Sequence, residues 1–184
     1  MNALLTESLA LLIAMVFAVA AMSKLWAWRE LPGVVRNFRL LPSVLVVPVA
    51  LVLPPLEIAI AAGLLMPGAR SPAAGCAALL FVVFAGALAM NLYRGRRQID
   101  CGCFRSNLKQ PISVAVVLRN LLLAAGALSL MPAGPLMRLS PLAWVVAGGG
   151  AATLFFCYLS VGVIFQPSPP SYEDNFHADR SVAD

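Results

Sequence analysis

Charge is what this sequence has least of. Only 11% of its 184 residues are Asp, Glu, Lys or Arg, where a soluble domain carries about a quarter. With 61% hydrophobic residues, that scarcity excludes an ordinary soluble domain and predicts an all-α integral membrane protein built as one unit. Histidine is nearly absent too. The single His177 lies near the C-terminal end, so a zinc site, which normally draws on four Cys, His or carboxylate ligands, has little to build on. Internal repeats are also missing, which argues against a duplicated transporter architecture.

What is present is a series of long apolar runs. Five reach the roughly 20 residues a bilayer crossing needs, at residues 3–26, 43–66, 72–93, 112–131 and 142–165. They predict a five-helix bundle over residues 1–165, with a core of four helices plus one. The first run is not expected to be a signal peptide. It has no basic residue before Lys24, contains Glu7 and is too long. Residues 166–184 are rich in proline and acidic side chains and are expected to form an extended or disordered tail. Between the first two runs, Val34, Val35, Phe38 and Leu41 recur at near-helical spacing and predict a short amphipathic helix on the membrane surface.

The basic residues cluster. Lys24, Arg29, Arg36 and Arg39 fall at loop 1, and Arg94, Arg96, Arg97, Arg105 and Lys109 at loop 3, against Arg70 and Arg138 in loops 2 and 4. The positive-inside rule then places loops 1 and 3 and the C-terminus in the cytoplasm and the N-terminus outside. Juxtamembrane arginines of this kind meet lipid head groups, so the partner they predict is the bilayer and not a nucleic acid.

The chemistry concentrates in loop 3, at Asp100-Cys101-Gly102-Cys103-Phe104. A disulfide closed over one residue is strained and easily reduced. Gly102 removes the side chain that would crowd so tight a ring. The flanking cations, Arg94 and Arg96 among them, favour a thiolate, and Asp100 opposes them. Three readings stay open at this point: thiol–disulfide exchange, a two-thiolate soft-metal site such as a copper(I) relay, or a structural pair. The remaining cysteines, Cys76 and Cys157, read as small residues filling helix contacts.

Polar residues inside the runs are costly and are usually paired or functional. These are Glu57, just after Pro54-Pro55, together with Asn91, Arg119 and Asn120; Lys24 sits at the end of the first run. The proline pair is expected to kink its helix. Glu57 has Lys24 or Arg119 as candidate partners, or is protonated, and reads either as a polar clamp between helices or as a group for proton or quinone chemistry. Arg119, about 10 Å along its run, is expected to snorkel to the basic face.

Taken in order, Met22-Ser23-Lys24-Leu25, Arg39-Leu40-Leu41-Pro42, Pro54-Pro55-Leu56-Glu57, Asn91-Leu92-Tyr93-Arg94-Gly95-Arg96, Ile99-Asp100-Cys101-Gly102-Cys103-Phe104 and Arg119-Asn120 resemble the MauE family of methylamine-utilisation membrane proteins, related to DoxX-like proteins. The resemblance covers roughly residues 10–130. The family pattern continues with Gly after Phe104, where this chain has Arg105.

The resemblance implies a bacterial inner-membrane factor that matures a disulfide-rich periplasmic client, such as the small subunit of methylamine dehydrogenase. It also implies a thioredoxin-like, membrane-anchored partner of the MauD type. On that reading Cys101 and Cys103 are the redox pair, and a membrane quinone is the one cofactor held open. The alternative is a non-enzymatic assembly platform for the thioredoxin-like partner. A periplasmic client wants the thiols outside, whereas the charge count puts them inside. Either the thiols reach both faces through the bundle or the topology is inverted.

Overall fold

A computed structural model describes residues 3–66, 68–95, 113–132 and 140–164. It contains six helices: α1 (Ala3–Trp26), α2 (Leu31–Asn37), α3 (Ser43–Leu65), α4 (Arg70–Tyr93), α5 (Val114–Ser129) and α6 (Pro141–Ile164). The expected apolar runs and the short amphipathic helix are all present. The arrangement is all-helical, and α1, α3, α4 and α6 are long and apolar enough to cross a membrane. α5 is shorter than its run suggested. Its 16 residues rise about 24 Å, against a hydrocarbon layer of about 30 Å.

α1 is the central helix. Its buried stripe runs Glu7, Ala10, Ala14, Phe17, Ala21 and Lys24, a spacing that keeps one helix face turned inward. Phe17 meets Phe81 of α4 with ring centroids 4.7 Å apart. α4 answers with Ala74, Ala77, Ala78, Phe81 and Ala85, all buried. In a bilayer, burial of apolar surface does not drive helices together, so close van der Waals packing of small residues has to. Gly63 of α3 shows how close: a Cβ there would lie 2.9 Å from the Cβ of Ala73 on α4. Within the Gly148-Gly149-Gly150 run only Gly150 makes such a contact, with a Cβ placed 3.2 Å from Ser8 Oγ. Gly148 and Gly149 face open space.

α3 remains one helix through Pro48, Pro54 and Pro55. The prolines remove backbone donors, yet the helix is not divided. α2 lies across the ends of α3 and α4, with its apolar residues Val34 and Val35 turned toward a groove between them. Two contacts fix which ends share a face. Arg94 at the end of α4 donates through Nη1 to the carbonyl of Arg39, 3.2 Å away, before α3. Arg70 at the start of α4 donates to Glu7 at the start of α1. The end of α4 and the segment before α3 therefore lie at one end of the bundle, and the starts of α1 and α4 at the other.

Candidate functional site

The polar residues of the interior gather at the two ends of the α1 stripe. At the loop 1 and loop 3 end, Lys24 Nζ donates to both carboxylate oxygens of Glu57, at 2.7 and 2.9 Å. Lys24 is 5% exposed and Glu57 0%. The third Nζ contact is a long one, 3.4 Å to the Ala20 carbonyl, which already accepts from Ser23 Oγ at 2.8 Å. Of the two candidate partners for Glu57, the fold selects Lys24.

At the opposite end Arg70 grips Glu7 with two parallel bonds, Nη1–Oε1 2.8 Å and Nη2–Oε2 2.6 Å, and Nε reaches the Leu64 carbonyl at 3.4 Å. This fork matches the planar geometry of guanidinium and carboxylate. Sequence reasoning missed this pair. Glu7 and Arg70 lie 63 positions apart, and Arg70 read as an ordinary loop charge. The available signal was that a carboxylate inside an apolar run needs a partner.

The pairs change the charge count. Lys24 and Arg70 are buried and neutralised, so neither is available to lipid head groups. The described basic residues that stay exposed are Arg29, Arg36, Arg39 and Arg94, all at the loop 1 and loop 3 end.

Arg119 does not snorkel outward. It is 8% exposed, with its guanidinium 4.3 Å from the ring centroid of Tyr158 on α6. Cation–π contact replaces hydration there, and it brings the end of α6 to the start of α5. Nε and Nη2 of Arg119 are buried without a hydrogen-bond partner among the described residues, as is Oδ1 of Asn91. The Asn91 amide donates to the Ala87 carbonyl at 2.9 Å, and the Asn120 amide to the Val116 carbonyl at 2.8 Å. Asn91, Arg119 and Asn120 thus sit on neighbouring helices at the end where α4 stops and α5 begins.

Asp100, Cys101, Gly102, Cys103, Phe104 and Arg96, with Arg97, Arg105 and Lys109, lie outside the described residues. So does the chain after residue 164. What is described is the pair of points from which that chain leaves and returns, Gly95 and Ser113. Ser113 caps α5, its hydroxyl accepting from the Val116 amide at 3.4 Å. Cys76 and Cys157 are free and exposed on the outer surfaces of α4 and α6. This corrects the expectation that they fill helix contacts. Alanine and glycine occupy those positions instead.

The same end carries an apolar groove of about 650 Å³. α2, α3 and α4 form its walls, and Lys24 is its only charged lining residue among the described residues.

Fold and site together define a multi-pass helical membrane protein whose central helix is ion-paired at both ends. The model of the family described as methylamine utilisation protein MauE matches residues 1–133. A methylamine utilization protein MauE from Paracoccus denitrificans is 48% identical over 160 residues, covering 85% of each chain. Those from Paracoccus versutus and Methylorubrum extorquens are 47% and 46% identical, covering 83% and 66% of this chain and 82% and 67% of their own. The chain belongs to the MauE family. No solved structure matches it.

Proposed function

We propose that this protein is a membrane thiol–disulfide factor in methylamine utilisation. It assists disulfide formation in a periplasmic client of the methylamine dehydrogenase small-subunit type, and works with a thioredoxin-like partner of the MauD type. Cys101 and Cys103 are the exchanging pair. Gly102 and Phe104 shape their loop, while Arg94 and Arg96 favour the thiolate over the opposing charge of Asp100.

The observation that carries this reading is the difference between the two kinds of cysteine. Cys76 and Cys157 stand alone on outer helix surfaces, whereas Cys101 and Cys103 are separated by a single glycine. Support comes from the polar residues near the points where the loop leaves and rejoins the described chain. The permanent charge of Arg119 and the amides of Asn91 and Asn120 lie at the end of the bundle from which loop 3 departs, and Arg94 ties that end to loop 1.

A Cys103→Ser variant removes the resolving thiol and should accumulate a mixed disulfide between Cys101 and the partner, visible on a non-reducing gel. If neither single variant accumulates one while both support client maturation, the exchange reading is wrong.

By the positive-inside rule, the exposed Arg29, Arg36, Arg39 and Arg94 favour a cytoplasmic position for loops 1 and 3. A membrane-impermeant maleimide applied to intact spheroplasts of a Cys76→Ala/Cys157→Ala background tests this. The charge count predicts no labelling until the cells are permeabilised. Labelling beforehand gives the inverted topology, with the thiols facing the client directly.

A further inference from the structure

The groove between α2, α3 and α4 has a feature that lipid tails alone leave unused. Its volume of about 650 Å³ is that of a small-molecule site, and its walls are Val, Leu, Phe, Pro and Met side chains. Among the described lining residues the one charged side chain is Lys24, whose Nζ lies 5.8 Å from the ring centroid of Phe84, another wall residue.

Two hydrogens of that ammonium go to Glu57. The third has only the long contact to the Ala20 carbonyl, for which Ser23 competes. A hydrogen-bond acceptor entering the groove would be a better partner than the one now used. Because Glu57 already neutralises Lys24, an anionic acceptor would face a carboxylate beside the ammonium. A neutral carbonyl would not.

The walls narrow the choice further. Lys24 is two residues from the end of α1, so its ammonium is reached from the loop 1 and loop 3 end, while the groove continues along α3 past Val49, Val52 and Leu56. An acyl tail lying there brings no acceptor. A flat ring bearing a carbonyl, carried on an apolar tail, can lie against Phe84 and accept from Lys24.

We infer that the groove is a binding site for an isoprenoid quinone, with Lys24 Nζ hydrogen-bonded to a ring carbonyl and the tail running between α2, α3 and α4. The choice of a quinone among neutral carbonyl amphiphiles rests on the thiol reading. Closing the Cys101–Cys103 bond releases two electrons and two protons, and a quinone accepts both to become a quinol.

Gly86 supplies a clean test. It lines the groove, and a Cβ built on it meets nothing within 4 Å. A Gly86→Leu side chain therefore fills the groove without disturbing the fold, and leucine is the better helix former. Gly149→Leu is the control, since it also opens onto free space, but on α6.

The full chain, purified in detergent, is loaded with decylubiquinone, passed over a gel-filtration column and extracted. The wild type and Gly149→Leu should retain the quinone, and Gly86→Leu should retain at least about tenfold less. A Cys101→Ser/Cys103→Ser variant should retain as much as the wild type, because the site does not include the thiols. Equal retention by wild type and Gly86→Leu overturns the site. It would mean that the groove holds only phospholipid or detergent tails, and it would leave the thiol reading to its own test. Retention by the wild type of a dialkylglycerol, which has no carbonyl, as readily as of the quinone would overturn the role given to Lys24.

Discussion

Lys24 and Glu57 are joined by an ion pair closed off from solvent, with the ammonium 2.7 and 2.9 Å from the two carboxylate oxygens and neither side chain more than 5% exposed. The pair links the end of α1 to the middle of α3, where Pro54 and Pro55 have weakened the backbone's own bonding. Removing one partner strands a buried charge, which costs about 3–5 kcal/mol. Lys24→Met or Glu57→Gln alone should therefore lower the melting temperature of the detergent-solubilised protein sharply. The Lys24→Met/Glu57→Met double variant should recover most of the loss, because two apolar side chains strand nothing. A double variant no better than the worse single variant would mean that the pair does more than clamp the helices.

Glu7 and Arg70 form the matching clamp at the other end. Along α1 the two sites are about 25 Å apart at 1.5 Å per residue, far beyond the range at which substitutions usually couple. The destabilisation of Glu7→Gln and that of Glu57→Gln should add to within about 0.5 kcal/mol in the combined variant. Melting measurements on the two single variants and the double check this. A large departure from the sum would mean that α1 transmits strain from one pair to the other.

The α3–α4 contact at Gly63 admits no extra atom. A Cβ at 2.9 Å from Ala73 Cβ forces two helix backbones apart, and overpacking of this kind costs about 1–3 kcal/mol. Gly63→Ala should destabilise accordingly, whereas Gly86→Ala on α4, facing open space, should be neutral or mildly stabilising. Thermal melts of the two alanine variants give the comparison.

Arg119 is held by a ring face, and its planar guanidinium suits that face better than a lysine ammonium does. Arg119→Lys should cost about 1–2 kcal/mol, the worth of a desolvated cation–π contact. Tyr158→Phe retains the ring and tests whether the hydroxyl adds to it; it should cost less than Tyr158→Leu. A ranking of melting temperatures across the three variants tests the assignment. If Tyr158→Leu matches Tyr158→Phe, the stacking carries no energy.

Much of the fold was legible because a bilayer permits few solutions. Runs of about 20 apolar residues can only be helices; four of the five appear at spanning length, the fourth run gives the shorter α5, and α2 forms within the predicted segment but ends at Asn37, before Phe38 and Leu41. That the end of α4 meets the segment before α3 followed from the alternation of the spans. The ion pairs were half legible. Glu57 demanded a partner, and Lys24 was one of two candidates, but which of them it met depends on how α1 and α3 rotate about their axes. Composition does not reveal that. Glu7–Arg70 was hidden for the same reason, with Arg70 placed one turn too early to look intramembrane. Arg119 was expected to reach water because its stem is long enough. The partner that kept it inside, Tyr158, lies on a helix whose neighbours the sequence leaves undetermined. The solitary character of Cys76 and Cys157 was legible from their spacing, though not their exposure, while Cys101 and Cys103 lie outside the described residues.

The central claim is that the Cys101–Cys103 pair serves a client's disulfides. The direct measurement is the number of free thiols in the methylamine dehydrogenase small subunit, counted by mass shift after alkylation. The subunit is recovered from cells carrying wild-type protein, Cys101→Ser, Cys103→Ser or Cys76→Ala/Cys157→Ala. The account predicts a fully oxidised subunit with the wild type and with Cys76→Ala/Cys157→Ala, and a subunit retaining free thiols with either serine variant. Full oxidation with both serine variants, at normal levels of this protein in the membrane, would contradict it.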